Sequence, residues 1–406
     1  MIQIKRFLVS SIASLFCVLS HAQHSTSSPY SIIGIGEIDN KAYGLNSGMA
    51  NVGIGTYRLG FLNNTNPAAI AVDSLFFIFD VSLSGNLSKY SSAGTNEYAN
   101  NANIRKVALG VRIFSDLAVS AGIRPYSNVQ YRIQSDAYIE GLENEKYTTY
   151  YEGSGGLSKA YLSASYKLLP YLCAGVNVSY LFGQINKSEL LSNQSVKTTS
   201  EVDKVLFDFG LIYNKKLNRN VSIATGLVFG YESKIKLKNY QIISSMGTTE
   251  TKTSTYTSLP LNLGTGFSIQ NYDGRSYKMF AIDYKFYNWA NIKSPDLRMK
   301  YSDNHRVNVG VEYMPNYRMP RYYMQRVQYQ LGAYFEKSNL VINGQRISEM
   351  GLTAGMIFPL KNNYTQIFAS ADVGRRGGSG LMIENYIRIN LGVSVNQMWF
   401  IKWAYQ

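Results

Sequence analysis

Val205-Leu206-Phe207-Asp208-Phe209-Gly210-Leu211-Ile212-Tyr213 is the stretch that decides how the rest of this chain is read. Its odd positions are all large and apolar, while the even ones include Asp208 and Gly210, with Lys204 just before. Successive side chains of a strand point to opposite faces, so one face here is oily and the other accepts a carboxylate or no side chain at all. The same beat returns in Val221, Ile223, Thr225, Leu227 and Phe229, set against Ser222, Ala224, Gly226 and Gly230. It returns in Leu259 to Phe267, in Val307 to Tyr313, and last in Ile387, Ile389, Leu391, Val393 and Val395, opposite Arg388, Asn390, Gly392, Ser394 and Asn396. A strand with hydrocarbon on one side and a polar, small-residue interior on the other reads this way.

Collecting such segments predicts about fourteen strands, an even number as bacterial barrels favour. Their spans are 75–87, 103–114, 117–136, 156–168, 171–184, 203–214, 219–236, 251–269, 276–289, 300–314, 325–338, 349–360, 364–374 and 383–397. Compact turn chemistry falls at Ser115-Asp116, Leu169-Pro170, Tyr272-Asp273-Gly274 and Lys361-Asn362-Asn363. Longer polar stretches at 89–101, 137–155 and 185–202 read as outer loops, and 315–324 as one overlong inner turn. Short turns at one end and long loops at the other are the asymmetry of an all-β, transmembrane, antiparallel up-and-down barrel, here spanning 75–406.

Composition bounds the same answer. Charged residues make up 16% of the chain, under the typical quarter, beside 33 Tyr and 34 Gly in 406 residues. Outside the leader, no run approaches the roughly eighteen apolar residues that a helical span needs. The net charge of +14 comes without a basic block, an aromatic RNA-binding motif or zinc spacing, so no nucleic-acid partner is expected. Scattered Lys and Arg suit anionic outer-membrane lipids or solvent. Lys5-Arg6, the apolar run Phe7 to Leu19 and Ser20-His21-Ala22 give residues 1–22 the layout of a cleaved secretory signal. Only Cys173 then remains, so an exported chain without disulfides must draw stability from elsewhere, as a closed ladder of paired strands does.

Residues 23–74 break the pattern: Gly34, Gly36, Gly44, Gly48, Gly53, Gly55 and Gly60 punctuate a stretch with no sustained alternation. A periplasmic tail is one reading. A luminal plug is the other, since glycine permits close backbone approach in a cramped interior.

Several motifs carry a resemblance. Ser28-Pro29-Tyr30-Ser31-Ile32-Ile33-Gly34-Ile35-Gly36, Met49-Ala50-Asn51-Val52-Gly53-Ile54-Gly55, and Asn63-Asn64-Thr65-Asn66-Pro67-Ala68-Ala69 followed by Asp73-Ser74-Leu75 lie near the N-terminus. Val373-Gly374-Arg375-Arg376-Gly377 and Ile383-Glu384-Asn385-Tyr386-Ile387-Arg388 lie near the other end. Together they resemble the long-chain fatty acid transporter (FadL-like) outer-membrane family, in its Bacteroidetes branch. The resemblance implies a fourteen-stranded barrel with an N-terminal hatch, hydrophobic molecules entering from outside and leaving sideways through the wall. It places Asn66, Pro67 and Ala68 in that hatch. No extracellular binding groove matches residue by residue.

Catalysis is not expected. His21 lies in the leader, His24 at the mature N-terminus, and only His305 in the barrel region; neither G-x-S-x-G nor H-E-x-x-H occurs. A metal site and a cofactor are not expected either. Strand parity instead sends Asp80, Arg112, Arg124, Asp208, Asp283, Lys285, Glu312, Glu336, Asp372 and Arg388 inward, because a lipid-facing Arg or Lys at mid-depth costs about 2–4 kcal/mol. These charges are expected to tie wall to plug. Tyr147, Tyr150, Tyr151, Tyr322 and Tyr323 fit an interfacial girdle, and Trp399, Phe400 and Trp403 follow a closing strand of the kind the outer-membrane assembly machinery reads during biogenesis.

Two functions fit. The first is passive uptake of a hydrophobic ligand, long-chain fatty-acid-like, through the plugged barrel; it requires an apolar cavity between plug and wall beside a break in the wall. The second is a structural or accessory barrel in an outer-membrane secretion or assembly complex, which requires a filled lumen. An open porin is disfavoured by the N-terminal segment.

Overall fold

A computed structural model describes residues 28–39, 43–58, 60–72, 77–92, 94–139, 142–191, 194–244, 247–292, 299–360 and 365–397. The leader 1–22, Asp73-Ser74-Leu75 and the terminal aromatics Trp399, Phe400 and Trp403 lie outside the described residues.

Among the described residues the chain forms one sheet of nineteen strand segments: β1 (Glu37–Ile38), β2 (Phe77–Ser92), β3 (Thr95–Arg112), β4 (Leu117–Asn128), β5 (Tyr131–Ile139), β6 (Leu142–Leu169), β7 (Leu172–Leu191), β8 (Gln194–Lys216), β9 (Val221–Gly230), β10 (Ser233–Ser244), β11 (Thr248–Leu259), β12 (Leu261–Asp273), β13 (Ser276–Asn288), β14 (Met299–Tyr301), β15 (Asn304–Met314), β16 (Gln328–Ile342), β17 (Gln345–Pro359), β18 (Thr365–Gly377) and β19 (Ile383–Gln397). The last strand closes on the first wall strand, with Ile383 opposite Ser91 and Gln397 opposite Phe77. All ladders are antiparallel, and the result is a closed barrel of fourteen strands. The count falls to fourteen because β1 belongs to the N-terminal segment and four crossings are each built from two pieces: β4 with β5, β9 with β10, β11 with β12, and β14 with β15. Pro260 divides β11 from β12, where a residue without an N–H cannot donate to the ladder.

Each of the fourteen spans read from the sequence holds a strand. Their outer ends run further than expected, and this corrects the loop assignments. Residues 89–101, 137–155 and 185–202 are mostly paired strand, with Ile185 opposite Ser200 and Glu189 opposite Val196. Beyond the hydrocarbon both faces of a hairpin meet water, so the apolar alternation fades while the hydrogen-bond ladder continues.

Parity holds across the membrane-facing band. Val205, Phe207, Phe209 and Leu211 are exposed on the outer face, while Leu206 and Ile212 are buried inside. The inner face carries small and polar groups such as Ala108, Ser165, Ser179 and Ala224. The N-terminal segment makes its contacts with these inward residues. It runs through three short 3-10 turns, η1 (Pro29–Ile32), η2 (Ser47–Met49) and η3 (Pro67–Val72), and leaves η2 through Ala50 and Asn51 at φ 52° and 61°. Leu45, Met49, Val52, Ile54 and Leu62 are buried to 1% exposure or less, so the segment has its own dry core shared with the wall.

Two glycines show why this fit needs a bare backbone. A Cβ on Gly226 would overlap the Ile54 carbonyl, and one on Gly355 would come 2.8 Å from the Gly48 Cα. Real Cβ atoms do not tolerate either approach, so any larger residue there would push the segment off the wall.

Candidate functional site

Among the described residues the wall ladder lapses in several places, and one of these, between β3 and β4, is filled by the N-terminal segment. β3 and β4 pair only from Val107 opposite Ile123 to Arg112 opposite Ala118. Above that point β3 continues to Thr95 paired with β2, and β4 continues to Asn128 paired with β6. The edge of β4 that β3 gives up is taken by the N-terminal segment: Ile38 stands opposite Ser127, Glu37 opposite Asn128, and the Asp39 N–H donates to the Tyr126 carbonyl at 2.8 Å.

Local chemistry explains the split. Pro125 has no N–H for a ladder and is confined to edges and bulges; here it opens a bulge that leaves Tyr126 without a partner in β6. On the other bank, Ser82 pairs with Lys106 and Leu83 with Ile104, so Arg105 is the extra residue of a second bulge. A bulge re-aims one side chain against strict alternation. Arg105 and Lys106 are consecutive, yet Lys106 is buried and Arg105 partly so: Lys106 reaches Asp80 at 2.6 Å and the Leu62 carbonyl, and Arg105 reaches Asp39 at 3.2 Å. Asp39 also accepts the Tyr43 hydroxyl at 2.8 Å. Burial and the neighbouring Asp39 carboxylate both disfavour ionising that hydroxyl, which raises the Tyr43 pKa.

Behind the seam lies a cavity of about 130 Å³ between the N-terminal segment and the wall. Asp39, Arg124, Tyr126, Lys159, Asp208 and Lys285 line it, with Thr65 and Pro67 from the segment beside them. Lys159 lies over the Tyr126 ring at 4.5 Å, a cation–π contact. Asp208 accepts from Asn177 at 3.1 Å. Three cations face two carboxylates, and one carboxylate, Asp39, already serves Arg105. The cavity is charged rather than apolar, contrary to what uptake of an oily molecule requires.

The residues singled out from the sequence occupy definite places. Asn66 is fully buried; its amide donates to the carbonyls of Ile54 at 2.8 Å and Leu211 at 3.0 Å, and its side-chain oxygen accepts from the Ala68 N–H at 3.0 Å. Pro67 and Ala68 sit against Gly175 of β7. Asp283 accepts from the N–H groups of Gly53 at 2.6 Å and Ile54 at 2.9 Å. Glu312 pairs with Arg58 and accepts from Gln330 at 2.6 Å. Glu336 pairs with Arg306 at 2.5 Å, and Arg388 with Asp372 at 2.7 Å. Lys285 lines the cavity, near Arg124 and Asp208. Arg112 does something different: it donates to the carbonyls of Phe114 and Ser115, holding its own turn.

Other functional positions escaped the sequence reading. Lys106 obeys the inward parity of Ala108 and Gly110 and was legible in principle. Arg105 and Tyr126 were not, because a bulge is a local exception to parity. Arg58, Glu37 and Asp39 lie in a segment without periodicity, where only the fold reveals that Glu37 meets Arg376 at 2.7 Å.

Comparison with known proteins gives three findings. A family model described as BamG matches residues 1–406. No curated protein matches the sequence. Among solved structures, the Ralstonia pickettii toluene transporter TbuX is similar at a TM-score of 0.59 and 13% identity, over 88% of this chain and 98% of that one. The P. putida toluene transporter TodX (TM-score 0.56, 14% identity, 89% and 99% coverage) and a Pseudomonas aeruginosa FadL homologue (0.56, 12%, 90% and 100%) are similar as well. At these identities the likeness is one of fold.

Proposed function

The chain belongs to the BamG family, and we propose that it is an outer-membrane barrel that admits small hydrophobic compounds passively, with the seam between β3 and β4 as their lateral way out. The observation that carries this reading is the seam itself. A closed barrel satisfies every backbone group between strands, so a wall that stops pairing halfway and borrows two residues from its own N-terminal segment is built to be parted there. Asn66, Pro67 and Ala68 then act as the seat of a hatch, and the Asp39–Arg105 pair as its catch at the seam. Solved barrels of the same fold titled toluene transporters support the substrate class, and a long-chain fatty-acid-like compound fits it.

A second reading is favoured by the interior. The lumen behind the seam is filled, and what space remains is small and charged. That suits an accessory barrel of an outer-membrane secretion or assembly complex, whose lumen conducts nothing.

One experiment separates them. Directly opposed residues of an antiparallel pair have Cα atoms about 4.5–5.5 Å apart, within the reach of a disulfide, so Glu37→Cys with Asn128→Cys locks β1 onto β4. Uptake of a fluorescent fatty acid by cells carrying this variant is expected to fall to background when oxidised and to recover on reduction. Equal uptake in both states, or none attributable to the wild-type chain, removes the transport reading and leaves the accessory one.

A further inference from the structure

The outer face of a barrel is convex, yet this one carries a hollow of about 1180 Å³ on the wall from β16 through β19 to β2 and β3. Strand register resolves its lining into two tiers. One tier runs Phe335, Met350, Arg375, Asn385, Lys89 and Tyr98 on neighbouring strands. The next tier, on the side away from the β2–β3 hairpin, runs Leu352, Val373, Ile387 and Leu87, all exposed by more than half of the Leu or Val surface except Ile387 at 47%. A third tier follows with Ala354, Ala371, Ile389, Gly85 and Ala102. Bulk at Phe335, Met350 and Tyr98 with small residues below makes a trough where a uniform wall of Leu and Phe would bulge.

Beneath the trough the wall is thin and held from inside. The luminal positions there are Gly351 and Gly374, and a Cβ on either would collide with the hydroxyl of Tyr334 or Tyr386. Those two hydroxyls bond to each other, to Asp372 and to Glu349. The trough is therefore a fixed shape rather than a gap between mobile side chains.

Charge gives it a direction. Lys89 and Arg375 stand at the end towards the hairpin, with Asn385 between them in register; among the described residues neither cation has an ion-pair partner, and Lys89 rests 5.8 Å from the centre of the Tyr98 ring. The leucine and valine tier carries no charge. An occupant must offer an anionic, hydrogen-bonding head to Lys89, Arg375 and Asn385 and a hydrocarbon tail to Leu87, Leu352, Val373 and Ile387. We propose that this trough is a binding site for a phosphorylated glycolipid of the outer leaflet, its phosphate between Lys89 and Arg375 and an acyl chain along Val373 and Ile387. The site lies on the outer face and touches the seam only at its β3 bank, through Tyr98; it does not depend on what the lumen passes.

The test uses the full chain, purified in mild detergent, stripped of lipid and challenged with bis-phosphorylated lipid A, with bound lipid counted by native mass spectrometry. Retention is expected to fall at least tenfold for lipid A freed of its phosphates, and equally for Lys89→Gln with Arg375→Gln. Lys234→Gln with Lys236→Gln removes two exposed cations from β10 and is expected to leave retention unchanged. Folding of each variant is read from the mobility difference between unheated and heated samples, and Leu352→Ser with Val373→Ser, which keeps both cations, is expected to lose lipid A as well. Retention indifferent to the phosphates or to the Lys89 and Arg375 pair overturns the proposal. So does displacement of lipid A by an equal amount of phosphatidylglycerol, or a tightly bound protein occupying the trough of the chain as isolated.

Discussion

Two levels of the same lumen behave in opposite ways. At the lower one, towards the short turns, inward positions are glycine: Gly175, Gly210, Gly226, Gly266, Gly310, Gly332 and Gly355. Some face one another across the ladder, as Gly175 faces Gly210 and Gly310 faces Gly332. There the N-terminal segment lies backbone against backbone with the wall, and no space is left. One or two inward positions higher, the wall carries Asn177, Asp208, Lys285, Arg306 and Glu336, and the segment stands off far enough for a cavity, while Asp283 stands opposite Gly266 at the lower level. The contrast teaches that the close seat of the segment comes from missing side chains, with Asp283 and Glu312 bonding to it there, whereas the room above it comes from charged ones that must be kept apart or paired.

That contrast can be broken at several points. The largest effect is expected from Asp80→Ala, which strands buried Lys106 without its partner; removing one member of a buried pair costs about 3–5 kcal/mol. Urea unfolding of the vesicle-inserted barrel reads it, and Asp80→Ala with Lys106→Met should recover most of the loss. Gly226→Val attacks the glycine level directly, and overpacking of this kind costs about 1–3 kcal/mol. If Gly226→Val were as harmless as Gly247→Ala, whose Cβ meets nothing within 4 Å, the tight seat of the segment would be wrong.

Asp283→Ala removes the acceptor of two backbone N–H groups; hydrogen bonds to a charged group are worth about 1.5–3 kcal/mol. The expected signature is a lower unfolding midpoint together with protease access to residues 43–58, a combination a merely weakened wall would not give. Lys159→Met should be the mildest. The cation has an aromatic ring beneath it and no ion-pair partner among the described residues, so losing about 2 kcal/mol of cation–π attraction is offset by not burying a charge. A loss as large as that of Asp80→Ala would mean that the upper level grips the segment as firmly as the glycine level does.

Much of this was legible before any fold was known. Alternation in residues such as Val205 to Tyr213 requires two unlike environments a strand-width apart, and that alone gives fourteen strands and their inward charges. Parity is a strictly local rule, so it reached Asp80, Asp283, Glu312 and Arg388 without knowing what they meet. It failed where the rule is suspended. Arg105 and Tyr126 sit at bulges, and the hairpins above the membrane lose the apolar beat because water lies on both sides.

The sequence by itself determined the barrel and its inward and outward faces, since both follow from the side-chain period of an extended chain. Only the tertiary structure decided where the N-terminal segment rests, that it completes the edge β3 leaves open, and that Arg105 turns towards Asp39. Those outcomes depend on contacts between residues far apart in the chain, and no periodicity in a single strand records which distant backbone will fill the space its glycines leave.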